Sequence, residues 1–154
     1  MIIGIDARFF GSKDKGLGRY AENLIRNLEK INPPTGGNQY LVFLKKEQWN
    51  CYSPENSNFK KILFKDLNKH KLDLMHFTYF RNAIFYKRKF IVTIHDLITS
   101  HVSFLKKIAY KMILKSVLKK AEKIIAVSEF TKKDIIKQYR VNSDKIEVIY
   151  EGVA

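Results

Sequence analysis

From Met1 to Ile31 the chain reads as a buried strand, a glycine-bearing loop and an amphipathic helix, and that succession constrains everything after it. Ile2, Ile3 and Ile5 form a short apolar run, interrupted by Gly4 and stopped by Asp6, as in a strand covered on both faces of a parallel sheet. From there Leu17, Tyr20, Leu24, Leu28 and Ile31 recur at steps of three and four, which predicts one apolar side of a helix. The connection between them, Ala7 to Gly16, runs to about ten residues, longer than the usual strand-to-helix loop. It ends in Gly16-Leu17-Gly18, where free backbone N–H groups and the helix dipole favour an anion such as a phosphate. The spacing Gly16-x-Gly18-x-x-Ala21 also fits a dinucleotide fingerprint. That fingerprint, however, needs its glycines directly after the strand and an acid at the end of the second strand, and neither condition is well met. A flexible loop capped by glycine is the other reading of this stretch.

A chain of 154 residues is one domain of ordinary size, able to bury a core without disulfides or metal. Cys51 is the sole cysteine and the four histidines are scattered, which supports neither a disulfide framework nor a structural zinc site. The first apolar run meets Asp6 and Arg8 at once, unlike a signal peptide, and no apolar run is long enough to cross a bilayer. A reducing, cytoplasmic setting is the expectation. The formal charge of +14, heavier in the second half, points to an anionic partner: a membrane, a nucleic acid or a phosphorylated substrate. A solvated lysine surface is the alternative.

Beyond the turn cluster Pro33 to Asn38, Tyr40 to Leu44 reads as a second strand. Residues 45–58 are irregular, with Trp49 and Cys51 expected to pack beneath a loop. Lys61 to Phe64 and Leu72 to Phe77 follow as further strands, then an aromatic and basic loop from Thr78 to Lys89. Phe90 to Asp96 is the strongest strand, a β-branched apolar run ending in His95 and Asp96. Ligands of open parallel sheets sit outside the carboxyl ends of strands, so this pair is aimed at a site; the alternative is a histidine bonded to a neighbouring carbonyl. His76 and His101 invite the same argument less strongly, and His70 is expected at the surface.

Ser103 to Ala121 predicts a helix with Leu105, Ile108, Met112 and Val117 on one face and Lys107, Lys111, Lys115 and Lys119 on another. Such a basic amphipathic stretch suits an anionic membrane surface, or else is a core helix with a solvated lysine face. Lys123 to Val127, a helix from Glu129 to Tyr139 capped by Ser128, a turn at 141–144 and a strand from Lys145 to Tyr150 complete the pattern. Strands alternating with helices predict an α/β fold, a Rossmann-like three-layer αβα sandwich with a mainly parallel sheet.

Five stretches carry a family likeness: Ile3-Gly4-Ile5-Asp6-Ala7-Arg8, Gly16-Leu17-Gly18-Arg19-Tyr20, Val92-Thr93-Ile94-His95-Asp96-Leu97, Val127-Ser128-Glu129-Phe130-Thr131 and Lys145 to Val153. In this order and spacing the chain resembles, from end to end, the N-terminal domain of GT-B-fold glycosyltransferases of the family-4 (group 1) retaining class. The resemblance implies the N-terminal half of a GT-B fold over residues 1–154 and a nucleotide-sugar donor held mainly by a second domain that is absent. It implies that Gly16, Gly18 and Arg19 approach the donor diphosphate and that His95 and Asp96 face the donor sugar and reaction centre. Tyr20, Phe77, Thr78 and Tyr79 would line the acceptor side. It further implies transfer to an acceptor hydroxyl with retention, in which the departing diphosphate helps deprotonate the nucleophile, with no metal or cofactor. The expectation is an isolated or truncated domain, inactive alone, cytoplasmic and peripheral at the inner membrane face, meeting a saccharide or lipid-linked acceptor in cell-surface polysaccharide or glycolipid synthesis. Rivals are a dinucleotide-dependent epimerase or dehydrogenase, a basic nucleic-acid-binding module, and an interaction domain that docks a partner. Against the nucleic-acid reading, the lysines have few interleaved aromatics and no recognised motif, so no nucleic acid is expected.

Overall fold

The computed structural model describes residues 1–11, 15–97 and 104–152. The chain divides into two compact units, one from Met1 to Thr78 and the other from Tyr79 onward. The first holds strand β1 (Ile2–Asp6), helix α1 (Lys15–Ile31) and strands β2 (Gln39–Leu44), β3 (Phe59–Leu63) and β4 (Leu74–Phe77). Its strands are parallel and ordered β3-β2-β1-β4, with Ile5 opposite Val42 on one side and His76 on the other. The second unit holds β5 (Phe90–Ile94), α2 (Phe104–Lys120), β6 (Lys123–Ala126), α3 (Glu129–Tyr139) and β7 (Ile146–Val148), its strands parallel in the order β5-β6-β7. This is the expected α/β, Rossmann-like architecture.

In the first unit, Ile5, Ala7, Phe10, Ile25, Tyr40, Val42, Leu44, Tyr52 and Phe59 form the core beneath α1. The helix is rotated by about one position from its predicted orientation. Gly18, Ala21, Ile25 and Glu29 are buried, Leu24 and Leu28 only partly, and Ile31 is exposed. Two contacts set that rotation. A side chain at Gly18 would collide with the carbonyl oxygens of Phe9 and Gly11, so its absence lets the helix start close to the loop. Near the other end Glu29 accepts from the Tyr52 hydroxyl at 2.9 Å and from the Glu55 backbone N–H at 2.9 Å, and pairs with Arg26 at 3.2 Å. Burying Glu29 is tolerable because its oxygens are satisfied.

Three of the long connections carry 3-10 turns instead of α-helices, at Lys46–Gln48, Phe64–Lys69 and Phe80–Phe85. Phe64 therefore belongs to a turn and not to the third strand, and Cys51, expected in packing, is exposed. Trp49 is half-buried, with the Lys61 ammonium 4.7 Å from its ring centroid.

The larger correction concerns α2. Its packed side is formed by Leu114, Val117 and Leu118, followed by Ala121, with Tyr110 meeting Phe80 edge-on at 4.9 Å. Leu105, Ile108 and Met112, which the core-helix reading would bury, are exposed, whereas Lys107 is half-buried and Lys111, Lys115 and Lys119 are exposed. Nearly every turn of the helix is apolar on two sides, so its period alone does not select the inner one.

Candidate functional site

Chemically active side chains gather at the carboxyl ends of the second unit's strands. β5 is sealed by Phe90, Val92, Thr93 and Ile94, which delivers His95 and Asp96 to the first two positions beyond it. The histidine is partly exposed and the aspartate exposed. Nδ1 of His95 lies 2.5 Å from Oε1 of Glu151, which follows β7. Since a carboxylate oxygen accepts, this contact suits a proton on Nδ1 and makes Nε2 the acceptor end of the ring. The backbone of His95 is held too: its carbonyl accepts from the Thr131 hydroxyl at 3.5 Å. Thr131 is fixed in turn by Ser128, whose hydroxyl oxygen caps α3 by accepting from the Thr131 N–H at 3.0 Å.

Two phenols share this edge. Burial pushes the Tyr79 hydroxyl above its ordinary value; Arg81 works against the shift and the Asp96 charge adds to it. Burial likewise pushes the Tyr110 phenol up, reinforced by Tyr79, Asp96 and Tyr139. Asp96, Tyr79 and Tyr110 are thus within electrostatic reach of one another. An imidazole, a carboxylate and two phenols suit recognition of hydroxyl-rich or phosphorylated ligands.

Sequence reasoning named His95, Asp96 and Tyr79 but missed Glu151 and Tyr110. Tyr110 was within reach, since it stands in the stripe Tyr110, Leu114, Val117, Ala121 that proves to be the packed one. Glu151 is 56 residues from His95, and nothing local in the sequence announces the pairing.

The glycine loop belongs to the first unit. Gly16 and Gly18 fall in the opening turns of α1; Gly16 has open space around it, whereas Gly18 is buried against loop carbonyls. Arg19 is exposed and Tyr20 half-buried. Phe77 is wholly buried and Thr78 donates its hydroxyl proton to the Asp6 carbonyl at 2.7 Å, so these two act in packing and not as surface. His76 is buried and His70 half-buried, with its ring 5.9 Å from that of Phe43; His101 lies outside the described residues.

The Asp6 carbonyl that Thr78 meets belongs to a residue of a buried ion pair. Arg8 grips Asp6 through Nε at 2.8 Å and Nη2 at 2.6 Å, its backbone N–H reaches the same carboxylate at 3.2 Å, and its guanidinium lies 3.9 Å from the Phe64 ring centroid. Among the described residues no group of three or more His, Cys, Asp or Glu could hold a metal ion, and no helix is long and apolar enough to cross a membrane.

A histidine, an acid and tyrosines thus stand at the carboxyl edge of parallel strands in a domain of the α/β class. Comparison with known proteins narrows that class: the model of Glycosyltransferase Family 4 matches residues 42–154, and the chain belongs to this family. The matched span includes the His95 strand, the α3 cap and the closing strand, but not β1 or the glycine loop. A 64-residue stretch is 36% identical to the O-antigen chain mannosyltransferase RfbU of Salmonella typhimurium, covering 40% of this chain and 18% of that protein. In fold the chain is similar to Anabaena HepE, solved in complex with UDP, with a TM-score of 0.61 at 15% identity over 99% of this chain. The chain spans 44% of the length of HepE.

Proposed function

We propose that this chain is the acceptor-side, N-terminal half of a two-domain glycosyltransferase. It moves a sugar from a nucleoside-diphosphate donor to an acceptor hydroxyl with retention, in cell-surface polysaccharide or glycolipid synthesis. The observation that carries this reading is His95 at the carboxyl end of β5 with its ring oriented by Glu151, in a chain of Glycosyltransferase Family 4. In the proposal Nε2 of His95 meets the donor sugar, and Asp96 and Tyr79 take hydroxyls. Arg19 and the N–H groups around Gly16 and Gly18 meet the diphosphate, while Tyr20 borders the acceptor.

Retention needs no carboxylate nucleophile here, because the departing diphosphate takes the acceptor proton as the new bond forms. The protein's part is to align the two substrates and to stabilise charge on the leaving group. No metal or cofactor takes part. The donor is held mainly by the second domain, so the chain alone is inactive. It works on the cytoplasmic side, against an anionic membrane face that presents a saccharide or lipid-linked acceptor, and binds no nucleic acid. That RfbU is named a mannosyltransferase of the O-antigen chain and that HepE was solved with UDP supports these choices of acceptor and donor.

The test is transfer of labelled sugar from a panel of nucleotide sugars, by the whole protein containing this chain and by the chain alone. We expect activity only from the former, falling by about 10²–10³-fold in His95→Ala. Ordinary turnover by the chain alone, or full activity of His95→Ala, would refute the assignment.

A further inference from the structure

The side of α2 that packing leaves uncovered has an unusual make-up. Leu105, Ile108 and Met112 are 78%, 42% and 68% exposed and succeed one another at steps of three and four, so they form one ridge over the first turns of the helix. The same stripe continues as Lys115 and Lys119, both exposed. Exposed Lys106 and Lys111 lie to its two sides. The helix carries six lysines and no acid. Its opposite side is already filled by Leu114, Val117 and Leu118, and it is tied down by Lys120, which donates to the Ile84 carbonyl at 3.2 Å.

A ridge of large aliphatic side chains in water is costly, and a contiguous exposed patch of this kind marks a contact surface. Its border tells what it contacts. Lysine on both flanks and along its continuation would repel a basic protein surface, and this chain, at +14, is one. Apolar residues bordered by lysine match the boundary between acyl chains and anionic headgroups, with the lysine stems reaching outward from the apolar layer.

We propose that α2 docks on an anionic lipid surface by inserting Leu105, Ile108 and Met112 among the acyl chains, while Lys106, Lys111, Lys115 and Lys119 bind the headgroups. This rests on the membrane part of the function proposed above and deepens it. Lys107, turned toward the packed side, takes no part.

The experiment is flotation of the chain with vesicles of phosphatidylcholine alone or with about one third phosphatidylglycerol, over a range of salt. All substituted positions are exposed, and circular dichroism checks that each variant is folded. Binding is expected only with the anionic lipid. Leu105→Ser/Met112→Ser should weaken it about tenfold or more. Lys111→Glu/Lys115→Glu should do the same and flatten the salt dependence. Lys133→Glu/Lys137→Glu on α3 should stay within about twofold of the parent, because exposed charge away from the ridge contributes little. Four results would overturn the proposal: no binding to the anionic vesicles, no effect of the aliphatic substitutions, an α3 variant as weak as the α2 variant, or self-association in solution that Met112→Ser abolishes. The last would show a second copy to be the occupant. Sugar transfer by the whole protein to a water-soluble acceptor separates the two claims. If transfer persists while flotation fails, only the docking proposal falls; if transfer is absent, the enzyme reading fails whatever the vesicles show.

Discussion

Each unit ends a strand in an acid–base pair, and the two pairs differ chiefly in their access to water. At the end of β1, Asp6 and Arg8 form a two-pronged bridge whose side chains are 0% and 9% exposed. The Phe64 ring covers the guanidinium, and the Thr78 hydroxyl occupies the Asp6 carbonyl. Just past β5, His95 and Glu151 share one contact, with side chains 17% and 44% exposed. Taking the first pair out of water is costly and is offset only because every partner is in place. In the second pair the carboxylate is half in water, which screens the contact, so little stability depends on it. The closed pair fastens the fold, while the open one meets solvent.

The largest effect that can break this comparison is therefore on folding. Arg8→Ala leaves the Asp6 carboxylate buried without its counter-charge and should cost about 3–5 kcal/mol in urea unfolding. Arg8→Lys should recover only part of that, because an ammonium cannot reproduce the planar fork or lie flat on Phe64. A loss of about 1 kcal/mol or less for Arg8→Ala would mean that the two pairs are alike after all.

The same contrast explains what was legible in the sequence. Strands buried on both sides, such as Phe90–Ile94, announce themselves as continuous apolar runs, and their ends fix where His95 and Asp96 emerge. The α3 cap was legible as well, because Ser128 and Thr131 interact over a single helical turn. Helix orientation was not. α2 offers two apolar stripes, and the one that packs is the longer, running Tyr110, Leu114, Val117, Ala121, whereas Leu105, Ile108, Met112 gives way to Lys115 and Lys119. Following each stripe to the end of the helix would have favoured the correct side. In α1 the shift arose from a contact between Gly18 and the loop, and in the site from the pairing of Glu151 with His95. Contacts between residues far apart in the chain leave no periodic trace.

A smaller effect sharpens the comparison through pH. Burial raises the phenols of Tyr79, Tyr86, Tyr110 and Tyr139 in the second unit, and burial together with Glu29 raises that of Tyr52 in the first. A raised phenol means that the folded chain keeps its proton where the unfolded chain has lost it. The associated stability is complete below about pH 10 and is lost progressively above it. Tyr110→Phe keeps the ring against Phe80 and removes one such proton, so its alkaline unfolding midpoint should move upward. Tyr52→Phe removes a proton too but also the 2.9 Å bond to buried Glu29, so its resistance to alkali should come with weaker folding at neutral pH. Circular dichroism from about pH 9 to pH 12 reads both variants. An unmoved midpoint in Tyr110→Phe would show that the site phenols titrate as freely as surface tyrosines.

The smallest energetic effect belongs to the open pair. Glu151→Ala should change folding stability by no more than about 1 kcal/mol, since the carboxylate is half in water. Its influence lies in which ring nitrogen carries the proton. With Glu151 in place the neutral imidazole holds its proton on Nδ1; without an acceptor there, nothing in the pair favours that form. Nitrogen-15 NMR of the neutral ring separates the two tautomers. We expect the Nδ1-protonated signature in the parent, its loss in Glu151→Ala, and its return in Glu151→Gln, whose amide oxygen still accepts. A purely structural Glu151 would show no such rescue, and an unchanged tautomer in Glu151→Ala would leave the orientation of His95 to its backbone, through Thr131, instead.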